Sequence, residues 1–202
     1  MTTKSLIFAV AVAASLSMAG VASAQESNFE GFYVGGQAGY SIVDADITIT
    51  GVGSGSDTGN GFGGGVFVGF GGTNGSLYGS VEVEIGYDGA EWSQTRAGGT
   101  DEIEARLTYG VGFRVGAVVA DNFLIYGRFG WIRTNAEYSF TGIGSGDQDF
   151  DGGRIGGGVE GKFGSVGVRA EYTYTEYEDI TVLGVKVDPE QHLFRIGVAY
   201  YF

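Results

Sequence analysis

The chain of 202 residues has no cysteine, one proline and one histidine. Without cysteine there is no disulfide framework and no cysteine-based zinc site. One proline beside 40 glycines is an unusual pairing, because disordered and collagen-like glycine-rich chains are usually rich in proline as well. Basic residues are also scarce: 11 Lys and Arg against 24 Asp and Glu give a formal charge of −13. That balance removes nucleic acid as a partner, since phosphate binding needs a basic face. What the chain does have is 14 Phe and 12 Tyr, which argue against disorder.

The first residues have the layout of an export signal. Lys4 supplies a positive start, Leu6 to Ala14 is uninterrupted and apolar, and Ala22-Ser23-Ala24 has the small-x-small pattern of a cleavage site. Residues 1–24 are therefore expected to be a cleaved signal peptide, with the mature domain covering 25–202. The apolar run is shorter than the roughly 18 residues of a spanning helix. Removing Lys4, with no Asp or Glu in 1–24, takes the charge from −13 to −14.

After residue 24 no segment is long and apolar enough to cross a membrane as a helix. A membrane protein here must be a closed barrel, the other structure that satisfies every backbone polar group in lipid. Alternation of apolar and polar residues supports one. In the last stretch Phe194, Ile196, Val198, Tyr200 and Phe202 alternate with Arg195, Gly197, Ala199 and Tyr201. Seven earlier segments behave alike: Phe32 to Val43, Gly61 to Phe70, Leu77 to Asp88, Ile103 to Val115, Phe123 to Thr134, Ile155 to Phe163 and Val166 to Thr175. Each is close to the roughly 9 to 11 residues of a tilted membrane-crossing strand.

The connections alternate between short (Gly71 to Ser76, Gly116 to Asn122, Gly164-Ser165) and long (Asp44 to Asn60, Gly89 to Asp101, Asn135 to Gly153, Glu176 to Glu190). Short turns on the periplasmic side and long loops on the outer side are what membrane barrels show. The expected fold is all-β, an eight-stranded antiparallel up-and-down transmembrane barrel, with both mature termini periplasmic. Thr50 to Gly55 leading into Gly63-Gly-Gly-Val is echoed by Thr141 to Gly146 leading into Gly156-Gly-Gly-Val. Duplication of a half-barrel and convergence of glycine-rich hairpins both account for it.

A chain that ends flush on an aromatic after an alternating strand resembles the small outer-membrane barrels of the outer membrane protein A and X type. The opening Gly31-Phe-Tyr-Val-Gly-Gly36 is similar to that of the porin-family surface proteins of alphaproteobacteria. The resemblance implies a bacterial outer-membrane address and contact with lipids and lipopolysaccharide. It also implies recognition of the closing strand (Phe194, Ile196, Val198, Tyr200, Phe202) by the barrel assembly machinery. A monomer is expected, with no separate plug and no peptidoglycan-binding domain after Phe202.

The inside of an eight-stranded barrel is only wide enough for side chains to fill. On the inward parity lie Glu82, Glu84, Glu102, Glu104, Arg106, Arg114, Arg128, Arg154, Glu160, Lys162, Arg169, Glu171 and Arg195. Ions this close must pair, because an isolated buried charge is far more costly than a paired one. The expectation is a salt-bridged, closed interior beneath acidic outer loops, serving envelope integrity or surface interaction. The alternatives are a small porin-like channel and a lipid-modifying barrel enzyme. Asp147, Asp149 and Asp151, followed by Gly152, have the spacing of a calcium loop, but its twelfth position is Gly158 rather than Glu. His192 lies on the outward parity near the outer rim. The serine that a lipid A deacylase needs two residues on is replaced by Phe194, so no enzyme and no cofactor is expected.

Overall fold

The structure, a computed structural model, describes residues 29–49, 53–96, 99–120, 122–140, 144–182 and 185–202. The expected signal peptide lies outside the described residues. Ten strands form one sheet: β1 (Gly31–Ile49), β2 (Gly53–Asn74), β3 (Leu77–Tyr87), β4 (Glu91–Arg96), β5 (Gly99–Ala120), β6 (Phe123–Phe140), β7 (Gly144–Phe163), β8 (Val166–Tyr177), β9 (Ile180–Val182) and β10 (Val185–Tyr201). Eight of them make the wall, in the order β1-β2-β3-β5-β6-β7-β8-β10, and β10 returns to β1. The closing seam runs in register from Tyr33↔Tyr201 to Ile49↔Val185. Closure leaves no free strand edge in the membrane-crossing part, as lipid requires. β4 continues the line of β3 along β5, and β9 is a short strand against β10.

The alternation read in the sequence is the inside and outside of this wall. Arg195 is 5% exposed while its neighbour Ile196 is 65% exposed, and β8 alternates in the same way along its length. The outward row of Phe, Val, Ile, Leu and Tyr faces the medium that tolerates it, the hydrocarbon of a bilayer. Aromatics gather at its two ends. Phe32, Phe70, Phe123, Phe163, Tyr200 and Phe202 are exposed at the short-turn end, and Tyr87 and Tyr172 toward the other.

Two-residue turns at Gly75-Ser76 and Gly164-Ser165 join the strands at one end. Gly75 and Gly164 both have φ of 62°, the left-handed region that a glycine enters without penalty in a tight hairpin.

One expectation is corrected. The long connections are not loops for most of their length. β1 and β2 stay paired to Ile49↔Gly53, and β6 and β7 to Phe140↔Gly144, so the strands run on as hairpins well beyond the apolar band. Those extensions have water on both faces, so no apolar/polar alternation marks them, yet backbone pairing continues. The one proline shows how local this logic is. Pro189 sits in β10, paired to Ala45 on one side. On the other side the pairing of β10 with β9 ends at Val187 and its pairing with β8 begins at Glu190, so the missing N–H costs the sheet nothing.

Phe29, just before β1, is fully buried. It meets Tyr78 and Tyr201 edge-on at ring distances of 6.2 and 6.3 Å and stoppers the short-turn end of the lumen.

Candidate functional site

The interior is a stack of polar layers. Next to Phe29, Arg114 of β5 donates from Nη1 to Glu160 (2.7 Å), from Nη2 to the hydroxyls of Tyr33 (2.8 Å) and Tyr78 (2.9 Å), and from Nε to Ser80 (3.1 Å). Its guanidinium lies 4.8 Å from the centre of the Tyr126 ring. Tyr201 donates to the other oxygen of Glu160 at 2.6 Å. This layer is aromatic and tightly filled, with Leu124 and Phe67 completing its core.

The middle layer is built on two glutamates of β3, Glu82 and Glu84, which the period of two places on the same face. Glu82 is bridged to Arg169 at 2.6 Å, to Arg114 at 3.3 Å and to Arg128, and it accepts from the Tyr33 hydroxyl at 3.1 Å. Glu84 is bridged to Arg154 (2.6 Å), Arg128 (3.0 Å) and Arg195 (3.0 Å) and accepts from Gln37. Glu171 accepts from Arg195 Nε at 2.7 Å and from Tyr126 at 3.0 Å. Arg169 also rests on the face of Phe67, 3.6 Å from the ring centre. These are contacts between strands far apart in the chain, so the network ties the wall together across its diameter.

The outer layer is neutral in its linkers. Arg154 reaches Thr175 (2.9 Å) and Gln191 (3.3 Å); Gln191 donates onward to Asp88, which also accepts from Ser41 at 2.7 Å. Tyr177 and Thr134 close it over, 2.9 Å apart. Beside Glu84 and Asp88 a small cavity of about 40 Å³ remains, lined partly by Gln37, Gly39, Arg154 and Arg195. Among the described residues, five arginines (114, 128, 154, 169, 195) and five carboxylates (Glu82, Glu84, Asp88, Glu160, Glu171) are buried. Their charges cancel, which is the condition under which so many ions can share a low-dielectric interior.

The other charges expected inside are placed as follows. Lys162 is half-buried at the Phe29 end, its Nζ 4.2 Å from the Tyr201 ring centre. The side chains of Glu102, Glu104 and Arg106 lie outside the described residues, as does that of Asp147. Sequence reasoning counted charges and passed over the tyrosines and amides that bind them: Tyr33, Tyr78, Tyr126, Tyr201, Gln37 and Gln191. All share the inward parity, so the signal was there.

The acidic Asp147 to Gly152 stretch is part of strand β7, not a turning loop. An extended strand spreads alternate carboxylates along one face instead of wrapping them around an ion. Asp149 accepts from Asn135 (3.1 Å), and Asp151 accepts from Nε and Nη2 of Arg133 at 2.7 Å each. That bidentate bond, beyond the apolar band, holds the Asp151 carboxyl below its ordinary range. A lowered folded pKa means the pair's stabilising effect is present above the unfolded carboxylate pKa and is lost as pH falls through the folded value. Replacing Arg133 with Gln is therefore expected to move the Asp151 titration upward toward the ordinary aspartate value, read by carboxyl NMR shifts. An unmoved titration counts against the pair.

His192 stands on the outward face, its Nδ1 2.8 Å from the Tyr172 hydroxyl and its ring stacked on Tyr172 at 6.1 Å.

The family described as outer membrane protein beta-barrel domain matches residues 11–202. A 22 kDa outer membrane protein of Rhizobium leguminosarum bv. viciae is 29% identical over 157 residues, covering 75% of this chain and 65% of that protein. The match thus spans just under two thirds of that relative. The chain also resembles the crystal structure of Neisserial surface protein A (TM-score 0.53, 18% identity, 86% of this chain and 98% of that one). It is similar as well to outer membrane protein AlkL in lipid bilayers (TM-score 0.51, 13% identity, 91% and 95%). At these identities the likeness is one of fold.

Proposed function

Because the chain belongs to the outer membrane protein beta-barrel domain family, we propose that it is a sealed outer-membrane barrel that displays acidic hairpins outside the cell. The observation that carries this reading is the Glu82–Glu84 layer, where two carboxylates engage Arg114, Arg128, Arg154, Arg169 and Arg195 across the lumen. A bore crossed by bidentate and shared ion pairs is a strut, not a conduit. Phe29 at one end and Tyr177 with Gln191 at the other close what the ions leave. The work of such a rod is mechanical and interactive: envelope integrity through its lipid and lipopolysaccharide contacts, and surface interaction through the hairpins. No cofactor enters this account, and no reaction is assigned to His192. The protein acts as a monomer, delivered by its signal peptide and admitted by the assembly machinery through the strand ending at Phe202.

In this orientation the two-residue turns and both termini are periplasmic and the long hairpins are outside. Protease treatment of intact cells tests it. Cleavage within the β1–β2 or β6–β7 hairpins, with the Gly75 and Gly164 turns untouched until the outer membrane is broken, is the expected result. The reverse pattern would overturn the orientation, and a band that fractionates away from the outer membrane would overturn the function with it.

A further inference from the structure

Above the apolar band the wall opens. β7 remains paired to β6 as far as Phe140↔Gly144, but its pairing with β8 begins only at Gly152↔Tyr177. From Gly144 to Phe150 one side of β7 has no strand neighbour among the described residues. The backbone shows which groups face that side. The Asp151 carbonyl accepts from the Glu178 N–H at 2.8 Å, so it points away from β6. In a strand a residue's N–H and C=O point the same way and alternate residues repeat the direction. Ser145, Asp147 and Asp149 therefore present their N–H and C=O groups to the open edge.

The segment carries two aspartates, Asp147 and Asp149, and no base. Arg133, on the neighbouring strand β6, is engaged by Asp151, and Lys186 of β10 by Asp179 and Asp188. We propose that the Ser145–Asp149 edge of β7 is a β-augmentation site for an extended, basic segment of a partner polypeptide, which adds a strand and sets Lys or Arg beside Asp147 and Asp149. Backbone bonds give the affinity of such a site and side chains its selectivity. A second copy of this chain is a poor occupant, because edge-to-edge pairing would oppose aspartate to aspartate, and like charges directly opposite are destabilising. The same charges that block self-association select a basic guest.

The proposal rests on the orientation given above only for the side of the membrane the edge faces, so the test uses the full folded chain in detergent micelles, where both ends are accessible. A synthetic peptide alternating lysine and threonine is titrated against its glutamate–threonine counterpart, with amide hydrogen exchange as the readout. The expected result is protection of the Ser145, Asp147 and Asp149 amides by the lysine peptide, binding at least about tenfold tighter than the glutamate peptide, and weakening as salt is raised. Asp149→Pro removes an edge N–H and should abolish that protection. The double variant Asp147→Asn/Asp149→Asn keeps the edge and should lose affinity about three- to tenfold. Equal binding of the two peptides, protection elsewhere, unchanged affinity in both variants, or concentration-dependent protection without peptide would each overturn it. Failure here leaves the protease result, and hence the orientation, untouched.

Discussion

Replacing Glu84 with alanine is expected to destabilise the folded barrel by about 3–5 kcal/mol, the usual cost of removing one partner from a buried ion pair. The size follows from what is left behind. Glu84 is the shared counter-ion of Arg128, Arg154 and Arg195. Arg154 keeps only the hydroxyl of Thr175 and the amide of Gln191 as partners, and neither carries charge. The measurement is urea unfolding in lipid vesicles, read by the shift in gel mobility between folded and unfolded chains. The double variant Glu84→Met/Arg154→Met should recover part of the loss, since an apolar pair of similar volume carries no uncompensated charge. A Glu84→Ala variant as stable as the parent would mean that water, not arginine, solvates this layer.

The second large effect is steric. A Cβ added at Gly35 would lie 2.2 Å from Phe67 Cζ and 2.4 Å from the Val198 carbonyl oxygen. Gly35 sits on the closing seam, opposite Ala199, and Phe67 is the ring on which Arg169 rests. Gly35→Ala must displace either the β10 backbone or the support of an arginine, at a cost of about 1–3 kcal/mol for overpacking. Gly35→Val should fail to close at all and run as unfolded protein. Gly79 is the control: nothing lies within 4 Å of its added Cβ, so Gly79→Ala should fold as the parent does. If Gly35→Ala and Gly79→Ala behave alike, the seam is looser than these distances require.

Both effects were partly legible in the sequence. The period of two separated Arg195 from Ile196 and Glu84 from Ile85 before any coordinates, because lipid on one side and a charged lumen on the other impose opposite demands on neighbouring residues. It did not say which ions pair. Arg128 meets Glu82 and Glu84, more than 40 residues away in sequence, and that choice depends on strand stagger around the barrel. The hairpin lengths were hidden for a different reason. Gly53 to Gly59 and Gly144 to Asp151 read as loop because glycine, serine and aspartate are weak strand formers, while antiparallel pairing with β1 and β6 holds them extended. Phe29 was missed since it precedes the first alternating residue, and only the folded mouth reveals what it fills.

The claim on which the rest depends is that this barrel is sealed by its own ion pairs. Planar-bilayer recording of the purified, folded chain tests it most directly. The account predicts a flat current at every holding potential, with openings only when the Glu82 and Glu84 layer is removed. Reproducible, ion-selective steps from the unaltered protein would contradict it.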